Sequence, residues 1–294
     1  MELRNTCRML TLTAAFAGTF AASAAFAVDG VIEINAASAA VGGITPGDTP
    51  GFPVTISEEG SYRLTGNLST DNSNVDVIRV TSSFVNIDLN GFVISGPGKG
   101  TGSGVVASAI YREISVRNGT IREMGNGGVR LPGGASLVVD VIAHRNEDDG
   151  FQVDVVRDCI ASFNGDTGIV ANQVTGSTAI QNGFNNSSAS GIFVGNGGLA
   201  MDNVSSANQG EGITSGRGAT ISGNTIYDNG EDGIRTGEGS LVRDNAVRDN
   251  ALFGLNLGAN SGYGDNVLTN NGSGSVSGGL RIGTNVCGTN TTCP

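Results

Sequence analysis

One spacing limits this chain more than any other property. Asn203, Asn224, Asn245 and Asn266 recur every 21 residues, and Asn208, Asn229, Asn250 and Asn271 form a second series with the same step. Gly212-Ile213, Gly233-Ile234 and Gly254-Leu255 keep that step as a third. A fixed period of this size marks a solenoid, in which each repeat contacts only its neighbours. The runs between the asparagines are short, rich in β-branched residues and bounded by Gly, Asn, Asp and Ser, so each repeat consists of strands joined by turns. One repeat is thus one coil of a parallel β-helix, and the expected class is all-β. Glycine is abundant, 48 of 294 residues, because such a coil turns tightly several times.

The array continues upstream. Gly128-Val129, Gly150-Phe151, Gly168-Ile169 and Gly191-Ile192 are separated by 22, 18 and 23 residues. A second apolar column is Val138, Val156, Val174, Ala200, Ile221, Val242 and Tyr263; a third is Ala143, Ala161, Ala179, Ser205, Ile226, Val247 and Leu268. Stacked at about 4.8 Å per coil, roughly ten coils make a rod about 48 Å long. At the last step Ser275-Val276 keeps the period, whereas Gly279-Leu280 fits the residue pattern better and implies an expanded turn. That turn and NGFNNSSASG (182–191) are where the wall is expected to bulge outward. Near Val77-Ile78 the apolar face switches, which predicts a bulge or a strand end.

Stacked asparagines can hydrogen-bond from coil to coil, since an amide carries donors and an acceptor, and Asn tolerates the left-handed backbone that such turns use. The two Asn columns are therefore assigned to structure. Cys159 shares the column of Asn203 and is expected inside the coil. Cys287 and Cys293 close the short loop CGTNTTC and are expected to form a disulfide that staples the last coil.

Arg4 and Arg8, an Ala-rich apolar run from Met9, and Ala25-Phe26-Ala27 have the form of a signal peptide, residues 1–27, so the working protein is expected to be secreted or periplasmic. Residues 28–53, with an Ala-rich helix candidate and the segment TPGDTPGFP, are read as an N-terminal cap and leader. Residues 54–294 are read as the β-helix domain. Cleavage leaves 14 basic against 26 acidic residues, a net charge of −12. Such a surface repels nucleic acid and anionic lipid. No later apolar run is long enough to insert in a membrane.

The stretches FVNIDLNGFVISG (84–96) and ISVRNGTIREM (114–124), with coils such as NTIYDNGEDGI and NAVRDNALFGL, resemble the right-handed parallel β-helix proteins of the pectate-lyase-like superfamily, especially exported bacterial ones. That resemblance implies a right-handed coil and polysaccharide as the partner class. It spans lyases, pectin hydrolases, mannuronan epimerases, adhesins and copper-loading proteins, so it implies no single reaction. One His and few Met residues argue against copper handling, and the Asp-Pro-His-Asp signature of the epimerases is absent. Hydrolases of this fold need closely spaced aspartates; Asp148-Asp149 are adjacent, but strand neighbours point to opposite faces unless a turn intervenes.

Lyases of this architecture use a basic residue to take a proton beside a uronate and hold calcium on carboxylates. The implied site is Arg with Asp or Glu on the outer face of one sheet. With Val129, Leu131, Phe151 and Val153 inward, Arg130, Gln152 and Asp154 face out, and His144, Asp148, Asp149 and Asp166 lie close by in sequence. The catalytic candidates are Arg130, His144, Asp148 and Asp149, and the substrate contacts are Gln152, Asp154, Asp166 and Arg235. Asp148, Asp149 and Asp166 are the calcium candidates. Glu211, Glu231, Asp232 and Arg235 form a second, poorer cluster. Against both stands the ordinary role of acidic turns, which is to keep a solenoid soluble. The preferred reading is a platform that binds or presents to polysaccharide, because the charge is scattered. The alternative is a calcium-assisted lyase or related sugar-active enzyme.

Overall fold

Every strand in the computed structural model, which describes residues 30–288 and 293, pairs in parallel with a strand of a neighbouring coil. The signal peptide expected at 1–27 lies outside the described residues. The strands stack into three walls. On the first, Thr55, Arg79, Val106, Arg130, Gln152, Val170, Phe193, Thr214, Arg235, Asn256 and Ser277 stand one above another on the outer face, which defines eleven coils.

Alternation along each strand decides what is buried. Val129, Phe151, Ile169, Ile192, Ile213, Ile234 and Leu255 line the inner face of the first wall and are fully buried. The second-wall column pairs in register from Val138 to Tyr263, and the third-wall column from Ala143 to Leu268. Both agree residue for residue with the apolar columns of the sequence. Near residue 77 the face switch is a strand start: the strand is Ile78–Val80, with both Val77 and Ile78 buried.

The asparagines turn the two corners that flank the third wall. Asn203 Nδ2 donates to Asn224 Oδ1 at 3.0 Å, Asn224 to Asn245 at 2.9 Å and Asn245 to Asn266 at 3.0 Å. The other ladder runs from Asn146 through Asn164, Asn182 and Asn208 to Asn271. Each Oδ1 also accepts the backbone N–H of the asparagine one coil earlier, as in Asn203 N to Asn224 Oδ1 at 2.9 Å. No ladder asparagine adopts a left-handed backbone, contrary to the sequence expectation. That conformation falls on the residue before it, such as Asp202, Asp228, Asp244 and Asp265, with φ of 56–58°. The preceding residue makes the bend, which leaves the asparagine free to aim its amide inward. Cys159 is buried in this column, where its N–H meets Ser177 Oγ at 3.2 Å.

The ends are closed differently. Strand Val31–Ile34 pairs with Ser61–Leu64, then Asn35 caps a six-residue helix, Ala36–Val41, whose Ala39 is buried against the core. This is the short N-terminal cap. At the other end Cys287 and Cys293 are bonded, with Cα atoms 5.4 Å apart.

The long turn at 182–191 is present, but the one expected at 270–279 is not. Gly274–Arg281 is a strand, and Val276 continues the first column opposite Leu255. The irregularity is a contraction: Leu257 pairs with Gly278 and Gly262 with Leu280, so the corner shortens to Gly279 in the last coil. Two flexible glycines there allow a tight corner, each with φ above 70°.

Candidate functional site

Two adjacent carboxylates at Asp148 and Asp149 would diverge in a strand, but here a turn intervenes. The third-wall strand ends at His144, Arg145 takes a left-handed backbone, Asn146 points inward, and the chain reaches the first wall only at Phe151. Asp148 and Asp149 sit in that turn, and Asp166 occupies the equivalent turn of the next coil. One oxygen from each of the three lies within 4.8 Å of the others. The expectation that Asp148 and Asp149 point apart is therefore overturned, because turn dihedrals rather than strand alternation orient them.

Arg130 connects this cluster to the outer row of the first wall. Its Nη1 donates to Asn126 Oδ1 at 2.7 Å and lies 3.4 Å from Asp148 Oδ2, while its Nε donates to Gln152 Oε1 at 3.2 Å. Asn126, which sequence reasoning missed, thus takes the shortest contact of the guanidinium. Arg130, Asn126 and Gln152 line a 380 Å³ groove together with Asp76 and Thr101.

The Asp149 carboxyl is pushed up to about 7, first by burial and then by the charges of Asp148 and Asp166, against smaller opposing effects of Arg130 and a backbone hydrogen bond from Thr167. Near neutral pH one carboxyl of the cluster is therefore half protonated beside ionisable neighbours. Asp166 Oδ1 accepts from Asn186 Nδ2 at 3.0 Å. Three hard oxygen donors so close together are also able to hold a hard divalent cation, whose remaining positions water or a ligand oxygen fills.

The other candidates stand apart. His144 ends its strand on the third wall, where Nδ1 meets Ser162 Oγ at 2.9 Å and the ring packs edge-on against Phe163. Burial and the nearby Arg145 lower its pKa. Asp154 serves the next corner, accepting from Ser136 N–H at 3.1 Å and Asn172 Nδ2 at 3.0 Å.

Arg235 lies five coil steps from Arg130 on the same outer row. It meets Glu211 at 2.9 Å, Asp232 at 3.0 Å and Glu231 at 3.9 Å. Asp232 is fully buried and also accepts from Phe253 N–H at 2.9 Å and Asn256 Nδ2 at 2.8 Å. Burial and Glu211 raise the Glu231 carboxyl. Although burial alone would weaken the Arg235 guanidinium, Glu211, Asp232 and Glu231 outweigh it and raise its pKa. The cluster that looked poorer in sequence is the more completely paired of the two.

Comparison with known proteins agrees with this architecture. The family described as "Right handed beta helix region" matches residues 156–289. Among solved structures, the A-module of Azotobacter vinelandii mannuronan C-5 epimerase AlgE4 is similar over 87% of this chain and 85% of that chain, with a TM-score of 0.58 and 19% identity. The A-module of the epimerase AlgE6 from the same organism aligns over 78% and 75%, with a TM-score of 0.47 and 18% identity. No match was found among curated proteins. The likeness to the AlgE4 module shows the fold, a right-handed parallel β-helix.

Proposed function

We propose that this right-handed parallel β-helix protein acts on polysaccharide along the outer face of its first wall, with Arg130, Asp148, Asp149 and Asp166 as the reaction centre. The observation that carries the reading is the carboxyl cluster in which Asp149 stays protonated up to about pH 7 beside two other carboxylates. Environments that push neighbouring carboxyl groups apart in proton affinity are what acid–base chemistry at a glycosidic bond requires. In this reading Asp149 donates its proton to the leaving glycosidic oxygen. Asp148 or Asp166 takes a proton from the attacking water. Arg130, held by Asn126 and Gln152, orients a substrate oxygen through its outward donors.

The AlgE4 module, which shares the fold, belongs to an enzyme of mannuronan, and this supports polysaccharide as the ligand class. The Cys287–Cys293 disulfide suits an oxidising compartment and supports a periplasmic or extracellular location.

A second reading is favoured by the same three oxygens: a calcium ion held by Asp148, Asp149 and Asp166 that neutralises a uronate, as in a lyase. Proton and cation compete for Asp149, so the cation reading gains above pH 7 and the proton-donor reading below it. The test is to incubate the protein with uronate and neutral polysaccharides, with calcium or with a chelator, following new reducing ends and the ultraviolet absorbance of unsaturated uronates. Reducing ends without absorbance support hydrolysis, and calcium-dependent absorbance supports the lyase. Binding without either product leaves the platform reading, and neither binding nor product sinks all three.

A further inference from the structure

The expanded turn at 182–191 does not simply project into solvent. Asn185 Nδ2 donates to the Glu147 carbonyl at 3.0 Å and to Glu147 Oε2 at 2.9 Å, while Asn186 Nδ2 reaches Asp166 Oδ1 at 3.0 Å. The turn thus folds back over the two preceding corners and is tied to the same segment that carries the carboxyl cluster. That anchoring leaves Phe184 51% exposed across a 330 Å³ cleft from Phe163, which is 37% exposed. Glu123, Arg145 and Glu147 complete the rim, with Gly98 at its edge. Arg145 Cζ lies 5.8 Å from the centroid of the Phe163 ring.

Phe163 is out of pattern. The corresponding corner slot of other coils carries Arg145, Gln181, Ala207, Asp228, Asp249 or Asn270, none of them a large apolar side chain and all with a left-handed backbone. The ring packs edge-on against His144 yet keeps 37% of its surface open to the cleft. An open cleft with aromatic walls and a few charged rim groups is the usual composition of a small-ligand site. A sugar ring matches both parts, because its apolar face stacks on an aromatic ring while its hydroxyls reach rim donors and acceptors.

We propose that the Phe163–Phe184 cleft is a sugar-stacking subsite that takes a residue of the same polysaccharide engaged at Asp148, Asp149 and Asp166, round the corner from the reaction centre. This rests on the reading given under Proposed function. Its basis is continuity: Glu147 borders the cleft and adjoins Asp148, and one turn holds both Glu147 and Asp166. The polymer path therefore crosses the corner instead of running only along the axis.

The test is binding of size-graded fragments of whichever polysaccharide the wild-type protein retains in affinity electrophoresis, measured by calorimetry. Phe184→Ala is expected to weaken long fragments by up to about tenfold, the upper range of one aromatic contact, and to leave disaccharides and their turnover unchanged. Leu252→Ala removes an apolar residue that is 38% exposed on a more distant turn and serves as the control. Equal affinities of Phe184→Ala and wild type for long fragments overturn the subsite while leaving the reaction centre intact. So does an equal loss in the control. Failure of the wild-type protein to bind any polysaccharide overturns both readings together.

Discussion

The turn from Asn146 to Gly150 and the turn from Asn229 to Gly233 place carboxylates in the same two slots of the coil: Asp148-Asp149 in the first, Glu231-Asp232 in the second. Each has an arginine of the first wall within reach. In the second turn Arg235 touches three carboxylates, and Asp232, although fully buried, has four donor atoms around it. Charge buried this way is compensated by geometry, and the network ties three successive coils together. In the first turn Arg130 divides its contacts among Asn126, Gln152 and Asp148, and among the described residues its one ion pair, with Asp148, is at 3.4 Å. Asp149, partly buried and beside Asp148 and Asp166, has its pKa pushed up to about 7. Identical slots therefore give a fully paired network in one turn and a carboxyl with a raised pKa in the other.

The largest effect expected from this contrast is catalytic. Asp149→Asn should lower turnover of the substrate about a thousandfold, within the range for loss of a general acid, while Glu231→Gln keeps it within about threefold of wild type. Equal losses would remove the distinction between the centres. Next comes stability. Arg235→Ala leaves the buried Asp232 without its cation and should cost about 3 kcal/mol in urea unfolding, whereas Arg130→Ala, a partly exposed pair, should cost about 1 kcal/mol or less.

The pH dependence is a smaller effect with a definite sign. Asp149 has a folded pKa near 7 against an ordinary value of 3.8, so its ionisation is harder in the folded state. The stability this group withholds grows as pH rises from about 4 through 7. Relative to wild type, Asp149→Asn should gain about 2 kcal/mol between pH 5 and pH 7; a constant difference would mean that Asp149 titrates normally. Smallest is the cation effect. At pH 8, millimolar calcium should stabilise the wild type by about 1 kcal/mol through Asp148, Asp149 and Asp166. Asp166→Asn should abolish the gain and Glu231→Gln should keep it.

The coil register was legible because stacking puts like residues on like residues. Val138 to Tyr263, Ala143 to Leu268 and both asparagine ladders follow from spacing alone, since a one-residue slip would turn each column out of the core. Even the disulfide was readable, from two cysteines a short loop apart. Legibility failed at the corners. The convergence of Asp148 with Asp149, the left-handed residue before each asparagine and the shortened corner at Gly279 all depend on turn dihedrals that the strand period of two does not constrain.

Spacing therefore established an all-β solenoid, which residues face its interior, and the long turn at 182–191, though not the contraction at Gly279. Whether a charged turn residue meets a partner depended on the folded chain, because partners such as Asp166 and Asn186 come from different coils. The direction of the long turn, back over Glu147 and Asp166, depended on it as well. Strand alternation is a local rule with one answer per residue. Pairing across corners is a distance between coils, and distance exists only once the coils have stacked.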